Sequence, residues 1–153
     1  MKSPDDPIGT ILVPVDFSDV SALVITTAKK YARAFGARIV LLHICEPEPD
    51  FVGYEPGPTV VREHVAETMR ANQQALDAMK AKFVEPDLEM LALQIQGPAV
   101  EKIVYEAQEQ DAGLVVMGSH GHGAIYNLLV GSVAEGVLKG VSCPVLIVPS
   151  EKR

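Results

Sequence analysis

Five short apolar runs alternate along this chain with longer segments whose apolar residues recur at helical spacing. The runs cover residues 10–15, 38–44, 88–95, 114–117 and 144–148. A strand, a helix and a second strand at this spacing form a parallel pair joined by a right-handed crossover. The pattern therefore predicts an α/β fold, namely an open, doubly wound, five-stranded parallel sheet with strand order 3-2-1-4-5 and helices on both faces.

Glycine and proline residues mark where the helices are expected to begin and end. Gly36 follows the first helical segment and is the expected stop, and Pro98 stands at the start of the third. The second helix is predicted over residues 60–83. Before it, residues 45–59 contain four prolines and four acids and read as a solvated surface loop. That loop leaves the carboxyl end of a strand, the ligand side of such sheets, so a functional loop is the alternative.

Composition and charge exclude several classes of protein. The chain has 153 residues, 48% of them hydrophobic, which suits one domain over residues 1–153 with its core at 10–149. Thirteen basic residues against twenty acidic ones give a net charge of −7, which disfavours nucleic acid as a partner. No apolar run is long enough to cross a bilayer, and the first ten residues lack the apolar stretch of a signal peptide. We therefore expect a cytoplasmic protein without a membrane partner.

The cysteines and histidines do not predict a disulfide or a zinc site. Cys45 ends one predicted strand and Cys143 precedes another, so the two lie at opposite ends of a parallel sheet, too far apart to be bridged. His120 and His122 lack further residues at ligand spacing. His43 and Cys45 point to the same side of a strand and are interpreted as packing residues near the site.

A glycine-rich segment after the fourth strand is the main functional signal. Gly118 and Gly121 follow a buried run, and Gly131-Ser132 opens the next helical pattern. Glycines let the backbone approach a ligand closely, and a helix N-terminus presents N–H groups and partial positive charge to an anion. The segment predicts an anion site. No Walker A sequence or nucleophile elbow is present, which disfavours a fast phosphoryl transferase or a serine hydrolase.

The first strand brings an acid to the same edge of the sheet. With strand order 3-2-1-4-5, Asp16 lies opposite Met117, Gly118 and Ser119, where neighbouring connections leave for opposite faces. A carboxylate there can accept a ribose hydroxyl or contact Mg²⁺, which favours a nucleotide over inorganic phosphate. Asp16 is equally a candidate cap for the first helix, together with Ser18 and Asp19.

The motifs resemble the single-domain universal stress proteins. The resemblance covers residues 10–149 and rests on ILVPVDFS, VVMGSHG, CPVLIVP and the spacing G-x2-G-x9-G-[ST]. It implies a Rossmann-like fold and an ATP-binding sensor or regulator in the stress response. It also implies a homodimer through the edge strand Val145–Val148, with Val145 and Ile147 or Leu146 and Val148 packing across a two-fold axis.

The resemblance further implies a set of binding residues. Pro14, Val15 and Asp16 line the adenosine pocket, and Val40 or Leu41 approaches adenine through its main chain. The glycine segment is expected to bind the ribose and phosphates through Gly118, Ser119, Gly121, Gly131, Ser132 and Val133. Met117 is expected to pack mainly in the core and secondarily to form part of the pocket wall. Asp16 is the candidate Mg²⁺ contact.

One position departs from nucleotide-binding relatives, which often have Arg or Lys after the second glycine. His122 stands there and is largely neutral near pH 7, so we expect weaker triphosphate binding and tolerance of ADP or AMP. Two alternatives to the ATP-binding regulator stay open at this stage. One is a dimeric interaction protein that does not bind nucleotide, and the other is a slow ATP hydrolase that uses Asp16 and Mg²⁺.

Overall fold

The structure is a computed structural model that describes residues 3, 5–46, 59–119 and 130–149. Within these ranges, nine elements alternate strictly between strand and helix. They are β1 (Thr10–Pro14), α1 (Val20–Phe35), β2 (Arg38–Cys45), α2 (Thr59–Phe83), β3 (Met90–Gln96), α3 (Ala99–Glu109), β4 (Leu114–Gly118), α4 (Ser132–Gly140) and β5 (Val145–Val148). All strand pairs are parallel, and the order β3-β2-β1-β4-β5 confirms the predicted topology.

Helices cover both faces of the sheet, so successive residues of each strand enter different cores. On one face, which we call the α1/α2 face, Ile11, Val13 and Leu41 pack with Ile25 of α1 and Leu76 of α2. On the other, the α3/α4 face, the packed residues include Leu12, Val40, Val115, Ile103 and Val137. This double burial explains why the strands read as nearly continuous apolar runs.

The connection between α1 and β2 is a helix stop of the kind the sequence predicts. Gly36 has φ 66°, a left-handed conformation that glycine adopts at no steric cost. The Ala37 N–H reaches back to the Ala32 carbonyl at 2.9 Å, which closes the last turn of α1. The chain then enters β2 within two residues of the helix end, as a short crossover requires.

Several strand boundaries differ from the predicted ones by one or two residues, and two of these differences have a clear physical reason. β3 begins at Met90 rather than at residue 88, because Leu88 forms an isolated antiparallel bridge with Glu85 in the turn after α2. β1 ends at Pro14, and Val15 stays attached to β2 through its N–H, which donates to the Leu42 carbonyl at 2.8 Å. The predicted edge position of β3 is confirmed.

Two further findings concern the described residues alone. Neither Cys45, at the end of β2, nor Cys143, before β5, forms a disulfide. Across the described helices, no stretch combines the length and the hydropathy that a membrane span needs.

Candidate functional site

The carboxyl edge of β1 and β4 is where the sheet's connections diverge. After β1 the chain enters α1 on the α1/α2 face, and after β4 it reaches α4 on the α3/α4 face. The recorded pairing between β1 and β4 covers Ile11 with Leu114 and Leu12 with Val115, and both strands run two or three residues further. This is the topological switch point at which open α/β sheets bind ligands.

The glycine segment is brought together at this edge by two main-chain hydrogen bonds of Ser119. Its N–H donates to the Val148 carbonyl of β5 at 2.9 Å, and its carbonyl accepts the Gly131 N–H at 2.7 Å. Ser119 is 4% exposed. Gly118 and Gly131, thirteen positions apart in the sequence, therefore flank one short stretch of backbone.

The first turn of α4 begins immediately after this contact. Gly131 is the N-cap in an extended conformation (φ −72°, ψ 163°), and no side chain caps the helix among the described residues. Ser132 and Val133 are exposed at its first two positions. The first N–H groups of a helix have no partner within the helix and carry partial positive charge, so this end of α4 suits an anion.

Asp16 sits in the turn between β1 and α1, across the switch point from the glycine segment. Its Oδ1 accepts the Ser18 N–H at 3.0 Å and the Ser21 hydroxyl at 3.3 Å. The N-cap position of α1 is Asp19, whose side chain forms no capping hydrogen bond. Asp16, rather than Asp19, therefore secures the start of α1, and its capping and ligand roles are compatible.

A second carboxylate, Glu135, lies in the first turn of α4, where its negative charge would repel a phosphate bound at the helix N-terminus. Lys139 donates a hydrogen bond to Glu135 at 2.6 Å, and this bond and the nearby ammonium charge lower the pKa of Glu135. Both side chains are exposed. The i,i+4 pair offsets the negative charge of Glu135 beside the helix N-terminus.

The remaining predicted pocket residues take different depths in the sheet. Pro14 is half-buried at the end of β1, and Val15 and Met117 are 6% and 5% exposed. Val40 and Leu41 are fully buried inside β2, on opposite faces, in register with residues Leu12 and Val13 of β1. The structure thus brings Pro14, Val15 and Met117 to the carboxyl edge and keeps Val40 and Leu41 within the sheet.

The sequence predicts His43 near the site but does not indicate that Ile44 of β2 also reaches this edge. Ile44 packs at the border of the α3/α4 core that contains Met117, and His43 is 8% exposed beside Val15. Phe17 has φ 61° and its ring contacts that of His43. The sequence predicts His43 and Cys45 as packing residues near the site, because alternate side chains of a strand point to the same side of the sheet.

Two predicted binding residues, Gly121 and His122, lie outside the described residues, as do His120 and most of the loop predicted at 45–59. In the described ranges no cluster of three or more His, Cys, Asp or Glu side chains has the arrangement of a metal site.

Comparison with known proteins agrees with this architecture. The model of the universal stress protein family matches residues 7–149. A universal stress protein of Thermus aquaticus, from the QAH/OAS sulfhydrylase 3' region, is 35% identical over 141 residues, which cover 91% of this chain and 97% of the relative.

Two solved structures extend the comparison to three dimensions. The structure of MJ0577 from Methanocaldococcus jannaschii superposes with a TM-score of 0.84 at 23% identity, over 97% of this chain and all of the other, and so shows the shared fold. A universal stress protein in complex with cAMP superposes with a TM-score of 0.63 at 25% identity, over 95% of this chain and all of the other.

Proposed function

Because this chain belongs to the universal stress protein family, we propose that it binds an adenine nucleotide, ATP foremost, and acts as a regulator in the stress response. The observation that carries the proposal is the 2.7 Å hydrogen bond from the Gly131 N–H to the Ser119 carbonyl. It sets the N-terminus of α4, which no side chain of the described residues caps, beside Gly118 at the end of β4. An anion of phosphate size has both N–H donors and close backbone approach there.

The choice of an adenine nucleotide rests on two supports. The cAMP complex of a structurally similar family member contains an adenine ribonucleotide. Asp16 lies on the other side of the switch point, where a carboxylate accepts a ribose hydroxyl or contacts a phosphate-bound Mg²⁺. In the proposed site, the ribose and phosphates are held by Gly118, Ser119, Gly131, Ser132 and Val133. Gly121 and His122, which lie outside the described residues, belong to the same proposed set.

The adenosine end of the site follows from the placement of β1, β2 and β4. Pro14 and Val15 line the pocket with Met117, and the main chain of β2 approaches the base. We assign that approach to Ile44 rather than to Val40 or Leu41, because Ile44 lies at the carboxyl end of β2 and borders the core around Met117. Val40 and Leu41 lie farther back in the sheet.

We also propose that two copies associate through β5. This strand is at the edge of the sheet, and Val145, Leu146 and Ile147 are only half-buried against the two cores. An apolar edge strand invites a second strand to pair with it. A cytoplasmic location accords with the absence of an apolar span in the described helices.

Substituting Asp16 with asparagine tests the acid's role in binding. An amide keeps one acceptor oxygen for the Ser18 N–H and the Ser21 hydroxyl and replaces the other oxygen with a donor. We expect MgATP affinity to fall about tenfold or more, the scale of a hydrogen bond to a charged group. Calorimetric titration of nucleotide-free protein measures this loss.

Asp19→Asn is the matched control, since Asp19 is exposed in the same turn and its side chain forms no capping hydrogen bond. Titrating AMP without Mg²⁺ separates the two roles of Asp16. Equal losses for AMP and MgATP indicate a ribose contact, whereas a loss confined to MgATP indicates the metal. If Asp16→Asn binds MgATP with unchanged affinity, Asp16 is not part of the binding site.

A further inference from the structure

The turn that carries Asp16 is held by the neighbouring strand through both main-chain groups of Val15. The Val15 N–H donates to the Leu42 carbonyl at 2.8 Å. The Val15 carbonyl lies 2.9 Å from Nδ1 of His43, the next residue of β2. If the ladder between β1 and β2 continued, the Val15 carbonyl would accept a hydrogen bond from a main-chain N–H of β2. Because the ladder ends here, this carbonyl is instead paired with the side chain of His43.

The chemistry of this contact defines the state of the imidazole. A carbonyl oxygen only accepts hydrogen bonds, so Nδ1 carries the proton, and in the neutral ring Nε2 is then an acceptor. His43 is 8% exposed, so the contact lies in a buried environment, where leaving a carbonyl unpaired is destabilising. The hydrogen bond thus has a structural consequence for the residues that follow Val15.

The same ring supports the far side of the turn. Phe17 has φ 61°, a left-handed conformation that is sparsely populated by non-glycine residues and persists when the surroundings hold it. Its ring centroid lies 4.3 Å from that of His43, with 34° between the ring planes. His43 therefore contacts the residue before Asp16 and the residue after it.

We propose that His43 is a positioning residue of the nucleotide site, holding the 15–17 turn so that Asp16 is set at the ligand edge before nucleotide arrives. This inference rests on the proposed function. These contacts restrict the path of Asp16, since Val15 and Phe17 are held on either side and its own Oδ1 accepts hydrogen bonds from Ser18 and Ser21. Preorganisation of this kind strengthens binding by removing the cost of ordering the site.

Two substitutions at His43 separate its hydrogen bond from its ring. His43→Phe keeps an aromatic ring against Phe17 and removes the donor, whereas His43→Asn keeps an N–H donor near the position of Nδ1. We expect MgATP affinity to fall about tenfold in His43→Phe, because the Val15 carbonyl is left unpaired and the turn relaxes. In His43→Asn it falls by about threefold or less.

Ile39→Val is the matched control for a general loss of stability. Ile39 is fully buried on the same α1/α2 face of β2, near the strand's opposite end. Losing one methyl there lowers the unfolding midpoint slightly and leaves the turn intact. We expect the MgATP affinity of Ile39→Val to equal that of the wild type. A loss of stability alone then does not explain the loss of affinity expected in His43→Phe.

A measurement on the wild-type protein tests the contact without nucleotide. Two-bond nitrogen–proton correlation spectra of the imidazole should show a protonated Nδ1 and an unprotonated Nε2 for His43 in the neutral state. The opposite tautomer would overturn the inference, and so would equal MgATP affinity in wild type and His43→Phe, with the proposed function left standing. Absence of nucleotide binding by nucleotide-free wild type would overturn both.

Discussion

Gly131→Val is expected to weaken MgATP binding by about 100-fold or more while the fold is retained. A loss of this size corresponds to two hydrogen bonds to charged phosphate oxygens. Gly131 is the N-cap of α4, and its N–H is already used by Ser119. We expect a branched side chain at this position to obstruct the approach of a phosphate to the first N–H groups of α4. Phosphate oxygens then have no close approach to those donors.

The substitution is tolerated by the backbone, which makes the result interpretable. Gly131 has φ −72° and ψ 163°, an extended conformation that valine adopts readily. Replacing an N-cap glycine costs the helix about 1 kcal/mol, so the unfolding midpoint should shift only slightly. The dimer proposed at β5 should also persist, which sedimentation velocity measures alongside the calorimetric titration.

Gly9→Val is the matched control for this variant. Gly9 precedes β1 at the opposite edge of the sheet, and a Cβ built there has no neighbour within 4 Å among the described residues. We expect its nucleotide affinity to equal that of the wild type. If Gly131→Val binds MgATP as the wild type does, the phosphate site does not lie at the N-terminus of α4.

Leu41→Ala is expected to lower the free energy of unfolding by about 2–5 kcal/mol and to leave the nucleotide affinity of the folded protein unchanged. Leu41 is fully buried in β2, in register with Val13 of β1 and Ala92 of β3. Truncation removes apolar contacts and leaves a cavity that a central strand cannot close. Urea unfolding of nucleotide-free protein measures the loss.

The affinity part of this prediction tests whether the side chain of Leu41, rather than the main chain of β2, contacts the adenine. A main-chain contact by Leu41 or by Ile44 survives the truncation, so the dissociation constant should change by less than about threefold, under 1 kcal/mol. Leu23→Ala, at a 42% exposed leucine of α1, is the control and should cost about 0.5 kcal/mol or less. A large loss of affinity in folded Leu41→Ala would place that side chain in the pocket.

Much of the fold is predictable here because local signals agree with the tertiary arrangement. The apolar runs are strands buried on both faces, and Gly36 does end α1 in a left-handed conformation. The predicted strand order 3-2-1-4-5 is confirmed, and this order brings Gly118 and Asp16 to one edge of the sheet. Leu88 was assigned to β3 wrongly because its apolar side chain is buried in a turn, and apolarity alone does not distinguish the two.

The details of the site depend on contacts that no local pattern encodes. Residues 39–42 and Ile44 of β2 are all apolar, so the sequence alone does not indicate how far along the strand the carboxyl edge lies. The contact of His43 with the Val15 carbonyl requires the parallel register of β1 and β2. The left-handed conformation of Phe17 has no signal in its residue type, because glycine or asparagine normally occupies such positions.

Calorimetric titration of nucleotide-free wild-type protein with MgATP, and with ADP and AMP in parallel, tests whether the chain binds an adenine nucleotide. We expect saturable binding with a dissociation constant on the order of micromolar, about −8 kcal/mol. We also expect a small preference among the three nucleotides, since His122 supplies no fixed positive charge for a triphosphate. Absence of heat and of competition by any of the three would contradict the nucleotide site at Gly118 and Gly131.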